Sequence, residues 1–358
     1  MTVEIARVLA LVLAVAVGVV VYRRVVGPSE RPASTGVAEE LGLLPRSRQN
    51  TLLSTPAPAL ERALAAAAHG GWEPAARLMA ATREDRDWSL RCGYARALGD
   101  AAAEGDGAWL ETWTHVAGPD DPDVAVVRAH ATVSVAWRLR GAAYAKDTSR
   151  EQFAGFHRTL AQAPAEIECA AELNPADPTP YVAELHTARG LGYPHARVHR
   201  IWAEVTARDP YHFDAHTSAL QYWCAKWHGS AELAESFARS AAAAAPAGSL
   251  LAVLPLVAWW EHHDDGAKAG DYRTPQLVAL VDAALADVAA APPGHPRAAT
   301  VRHVLAYFLT RQGRHEAALE QFRLVDGHVG AFPWAYHGDP AAAYCRWREE
   351  AAKGARRR

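Results

Sequence analysis

Lysine and asparagine are nearly missing from this chain of 358 residues. Lys146, Lys226, Lys268 and Lys353 are its lysines, and Asn50 and Asn174 its asparagines. Isoleucine is almost as scarce, and β-branched runs are rare beyond the N-terminus, so there is little to build a sheet from. The four cysteines, Cys92, Cys169, Cys224 and Cys345, are far apart and form no C-x-x-C. That spacing argues against a disulfide framework or a zinc knuckle. No G-x-S-x-G, P-loop or G-x-G-x-x-G occurs, which removes the commonest hydrolase, nucleotide and dinucleotide signatures. The net charge of −3 carries no basic excess, so no nucleic-acid partner is expected.

What is present is alanine, leucine, arginine and glutamate, the strong helix formers. An all-α protein follows, and the bias against lysine and asparagine fits a high-GC bacterial genome. Residues 8–22, VLALVLAVAVGVVVY, form an unbroken apolar run with Arg7 before it and Arg23 and Arg24 after it. Snorkelling arginines extend its usable length to about twenty residues, enough to span a bilayer. No small-x-small cleavage site follows, so residues 1–26 read as an uncleaved single-pass anchor, in the membrane through 5–26. The excess of arginine after the span places the body in the bacterial cytoplasm. Residues 27–56, rich in proline, glycine and serine, read as a linker with one short helix at 36–44. The body is expected over 57–350, followed by a basic tail, 351–358, that is solvated or touches anionic lipid.

From Pro56 onward apolar residues recur at three and four, broken by segments such as NPADPTP (174–180), RDP (208–210) and HHDDGAKAGDYRTP (262–275). Each break supplies a cap glycine, a proline or an aspartate. Pro175, Pro210 and Pro246 are each expected to open a helix at a period near 35. Gly192 and Gly229 lie midway, a helix-pair rhythm. In LAYFLTRQGRHEAALEQFRLV (305–325), Gly313 fits the inter-helix turn, Ala318 the small residue at the crossing and Phe322 the aromatic one turn later. HGGWEPAARLMAAT (69–82) repeats the half-motif with Gly71. The chain therefore resembles the tetratricopeptide family over most of 57–350, which implies stacked antiparallel helix pairs in a solenoid. Residues 122–173 depart from it, reading as two helices too long for the repeat. AWRLRG (136–141) with QYWCAKWHGS (221–230) resembles an uncharacterised tetratricopeptide-like family of high-GC bacteria, which implies no activity.

Two stretches invite a chemical reading. In RDPYHFDAHTSALQYWCAKWHGS (208–230), His212 and His216 stand four apart, a spacing that could seat a metal. His195 and His199 share that spacing on the preceding helix, but about a dozen residues of antiparallel helix, on the order of 15–20 Å, keep the pairs apart. Packing between helix pairs accounts for nearly every residue instead: Asp209–Pro210 starts a helix, His216 and Trp223 pack, Trp227 ends it and Ser230 caps the next. The second stretch, EHHDDG, offers Glu261, His262, His263, Asp264 and Asp265 as metal ligands or acid–base groups beside a loop longer than a repeat turn needs. Adjacent residues at a helix end rarely converge on one ion, so no metal and no cofactor are expected. A metal-dependent hydrolase at 261–265 stands as the alternative.

Repeat proteins bind extended peptides or helices along the concave face. Counting from the turn glycine places Thr300, His303, Tyr307 and Thr310 on that face. Counting from the prolines adds His186, Arg189, Asp214, Thr217 and Gln221. The expected function is a membrane-anchored scaffold, without catalysis of its own, that takes a protein or peptide partner in this groove.

Overall fold

Prolines and side-chain caps cut the chain into helices. The computed structural model describes residues 36–141 and 148–357, among which there is no strand. Contacts divide the chain into Met1–Leu43 and Leu44–Arg358. The first unit contributes one helical turn, Val37–Glu40. The anchor expected at 5–26 lies outside the described residues. Among those described, no helix is long and apolar enough to cross a membrane.

The second unit runs through α1 (Pro58–Ala67), α2 (Glu73–Glu84), α3 (Trp88–Glu104), α4 (Ala108–Ala117) and α5 (Pro122–Arg140). It continues through α6 (Arg150–Leu160), α7 (Ala163–Leu173), α8 (Thr179–Leu191), α9 (His195–Arg208), α10 (Phe213–Trp223) and α11 (Ala231–Ala244). The last five are α12 (Leu254–His263), α13 (Pro275–Ala290), α14 (Ala298–Gln312), α15 (His315–Val325) and α16 (Pro340–Arg356). Most helices pack on their neighbours in sequence, and α3 also reaches α8 and α10. Asp87, Asp121, Ser149, Ser230, Thr274 and Asp339 cap their helices by accepting first-turn N–H groups that would otherwise be unpaired. Gly192 and Gly313 end α8 and α14 in the left-handed conformation, φ 65° and 76°. Ala318 and Phe322 are fully buried where α15 meets α14.

Several boundaries differ from the sequence expectation. The second long helix is two, α6 and α7. The break falls at Ala161–Gln162 because Pro164 sits in the first turn of α7 and lacks the N–H a continuous helix needs there. Pro175, Pro210 and Pro246 lie in the turns, three or more residues before α8, α10 and α12 begin. Asp209 does not cap α10; its Oδ1 accepts from Tyr211 N–H, and His212 caps the helix. Trp227 lies beyond the end of α10, in the turn.

Residues 44–53, expected as linker, are bound to the C-terminal end of the unit. Asn50 N–H donates to Gly327 O at 2.8 Å, Val329 N–H to Asn50 O at 2.7 Å and Gly330 N–H to Leu53 O at 2.9 Å. Asp326 accepts from Leu44 N–H and from Gln49, and buried Arg348 donates both to Leu44 O and to Asp326. A second buried knot lies in the N-terminal half. Arg91, fully buried on α3, holds Asp123 of α5 at 2.7 Å and Asp177 before α8.

Candidate functional site

The histidine-rich stretch folds as packing. His212 Nδ1 accepts Ala215 N–H at 3.2 Å, which makes Nε2 the protonated nitrogen, donating to Trp88 O. His216 bonds His212 O and sets its ring edge-on to Trp202, centroids 4.7 Å apart. His195 and His199 lie against Trp223 at 4.8 and 5.3 Å. His212 and His216 are 2% and 4% exposed and fill space between helices, both His212 ring nitrogens being hydrogen-bonded, whereas His195 and His199 lie at the surface.

EHHDDG spreads its groups apart. Glu261 Oε2 takes Lys226 Nζ at 2.6 Å, and Oε1 accepts from Gln221 at 2.7 Å and from the Tyr336 hydroxyl at 3.0 Å. His262 Nε2 accepts Ala225 N–H, so its Nδ1–H donates to Ala258 O at 2.8 Å. His263 turns outward to Glu235 at 3.1 Å. Asp264 accepts from the hydroxyls of Tyr272 and Tyr307. Burial, then the hydrogen bond to Asp264, pushes the Tyr272 hydroxyl up to about 12. Asp265 is exposed. The five groups that the alternative reading would bring to one ion thus point to different neighbours, because consecutive positions at a helix end fan out around its axis. Among the described residues no three His, Cys, Asp or Glu side chains are grouped to hold a metal.

The groove residues give the more coherent picture. His186 and Arg189 on α8, Asp214, Thr217 and Gln221 on α10, and Thr300 on α14 line one cavity of about 320 Å³. Its apolar side comes from α12, α14 and the 330–336 segment, among them Val257, Val304 and Phe332. His186 Nε2 pairs with Ser218 Oγ at 3.0 Å, and its Nδ1 faces Arg189 Nη2 at 3.4 Å. Burial, then the charge of Arg189, holds the His186 imidazole well below its usual range, so it is neutral at pH 7. Burial likewise lowers the Arg189 guanidinium to about 10. Burial works against the Asp214 charge, but Arg297 at 2.7 Å and the more distant Arg96 overcome it and hold the carboxyl below its ordinary range.

No protein-family model, curated protein or solved structure matches the chain. The groove therefore stands on its own geometry.

Three of the expected groove residues are elsewhere. His303 is fully buried and accepts the Trp334 indole N–H at 3.0 Å, Tyr307 reaches Asp264, and Thr310 donates to Ala306 O within its own helix. The side of α14 facing the cavity carries Thr300, Val301 and Val304. The expected stripe is displaced from it by about one residue, roughly 100° of helix rotation. The expectation treated α14 as a helix with one open face, whereas α13, α15 and α16 all pack on it. Sequence reasoning also missed Arg96, Arg297 and Tyr336, which line the same cavity. They come from α3, from the turn before α14 and from the 330–336 segment, and no local pattern links them to α8 or α10.

Proposed function

We propose that the chain is a tetratricopeptide-like helical-repeat scaffold that binds a protein or peptide partner in the cavity between α8, α10 and α14, without catalysis of its own. One observation carries the reading. Six polar residues chosen by repeat phase, from three helices, line a single cavity with an apolar opposite wall. Polar groups that fix orientation beside apolar surface are the general makeup of a binding pocket. The apolar run at 8–22 supports attachment to a bacterial membrane, with the arginine pattern favouring a cytoplasmic body.

The test is in-cell crosslinking of the tagged full-length chain followed by mass spectrometry. Thr217→Trp and Thr300→Trp fill the cavity, and Arg158→Gln changes an exposed position on α6. The expected result is a specific partner that Arg158→Gln keeps and both tryptophan variants lose. A partner retained by both cavity-filling variants would place binding elsewhere.

A further inference from the structure

Buried arginines in this body are generally matched by carboxylates. Arg91 meets Asp123 and Asp177, Arg297 meets Asp214, and Arg348 meets Asp326. Arg189 meets none. Its Nη2 reaches only the neutral His186 ring, and its Nε is buried with no hydrogen-bond partner. Its guanidinium lies 4.8 and 5.1 Å from the ring centres of Trp137 and Trp227, contacts that hold a cation without neutralising it. Arg96 on α3 is exposed and makes no hydrogen bond or ion pair among the described residues.

These two cations share one space. Arg96, His186 and Arg189 line the cavity described above and also an open cleft of about 820 Å³ bounded by α3, α5 and α8. Two further residues of the cleft, His130 and Trp137, hold ring nitrogens that are buried and unpartnered, Nε2 and Nε1. The charged residues around both spaces are four arginines, 96, 138, 189 and 297, and two aspartates, Asp100 and Asp214. Both aspartates are engaged, Asp214 by Arg297 and Asp100 by the Ser134 hydroxyl at 2.6 Å. Arg138 pairs with Glu104. Among the described residues neither Arg96 nor Arg189 makes an ion pair: Asp214 and Asp100 act on Arg96, and Glu261 on Arg189, only from a distance, and the Trp137 indole N–H beside them has no acceptor.

We propose that the space shared by the cavity and the cleft binds an oxyanion, a carboxylate or a phosphate, held by Arg96 and Arg189. Planar guanidinium groups match both anions in geometry and charge, and a partly enclosed site strengthens the pairing. Where the anion is an acidic side chain of a peptide, the inference rests on the partner-binding reading. A free small anion would occupy the site without it.

Calorimetry on the full-length chain at low ionic strength separates these cases, with pentaglutamate, pentaglutamine and inorganic phosphate as probes. Arg96→Gln is the main variant, because among the described residues its side chain makes no hydrogen bond or ion pair to lose and Asp214 keeps its direct pairing with Arg297, and a thermal melt checks that the variant folds. Arg189→Gln is the second, and Arg158→Gln is the control. The expected result is binding of pentaglutamate or phosphate that weakens at least tenfold in Arg96→Gln, is unchanged in Arg158→Gln and declines with added salt. Binding of phosphate but of no peptide supports the anion site and overturns the peptide as its source. Pentaglutamine bound as well as pentaglutamate, with no effect of Arg96→Gln, leaves the groove and overturns the anion site. Absence of binding by all three probes overturns the inference.

Discussion

His130, His186, His216 and His303 sit where a proton is unwelcome. Burial lowers all four, His130 and His303 to about 4. In the unfolded chain each would titrate near 6.5. Between these values the unfolded state binds protons that the folded state refuses, so stability is greatest above about pH 6.5 and falls as pH drops toward 4. His130 and His303 each contribute a slope of about 1.4 kcal/mol per pH unit in that window, and His186 and His216 act in the same direction. Urea unfolding at pH 7.5, 6.5, 5.5 and 5.0 should show a steady loss, and a flat profile would mean the folded histidines accept protons. His303→Asn, which keeps an acceptor for Trp334, should reduce the slope by one histidine's share. That His212 and His216 pack inside could be read from the tryptophans and tyrosines around them. That His303 does so could not, because its partner Trp334 lies thirty-one positions along the chain.

Helices α3 and α5 approach so closely that one position between them has no room for a side chain. A Cβ at Gly99 would lie 2.8 Å from the Ala131 backbone nitrogen and 2.9 Å from the His130 carbonyl carbon. Backbone cannot rotate aside as a side-chain tip can, so Gly99→Ala should cost about 1–3 kcal/mol by overpacking. Gly338→Ala, with nothing within 4 Å and no positive φ, should change stability by no more than about 0.5 kcal/mol. Thermal melts of the two variants check the contrast, and equal melting temperatures would refute the close crossing. The existence of most helices was legible from the three-and-four spacing. The split between α6 and α7 was there to be read in Pro164. The face that α14 turns to the groove was not legible, since an apolar helix gives no sign of which sides its neighbours will cover.

At the scale of the whole unit Leu44–Arg358, the first ten residues close on the last two helices. Arg348 and Asp326 are 2% and 10% exposed and both lean on Leu44 and its neighbours. A chain that begins after residue 56 exposes this pair and breaks three backbone–backbone hydrogen bonds to residues 327–330 and the Leu44 N–H bond to the Asp326 carboxylate. Each hydrogen bond lost in this way costs about 0.5–1.5 kcal/mol. Hydrogen exchange in the shortened chain should quicken in 327–331 and across α16 while α1–α5 stay protected. Unchanged protection of α16 would show that 44–53 contributes nothing to its order.

Helix-forming composition, turn chemistry and apolar period are local, so the sequence by itself determined an all-α body of short helices and the apolar run before it. The phase expected for a helix-pair repeat also selected six cavity residues, five of them on α8 and α10 and the sixth, Thr300, on α14. The tertiary structure alone decided three things: that Arg91 and Arg348 would find buried carboxylates, that Arg189 would form no ion pair among the described residues, and that Arg96 would line the same cavity. Each depends on charges brought together across tens to hundreds of residues, and the cost of leaving a charge unpaired is set by burial that no local pattern records.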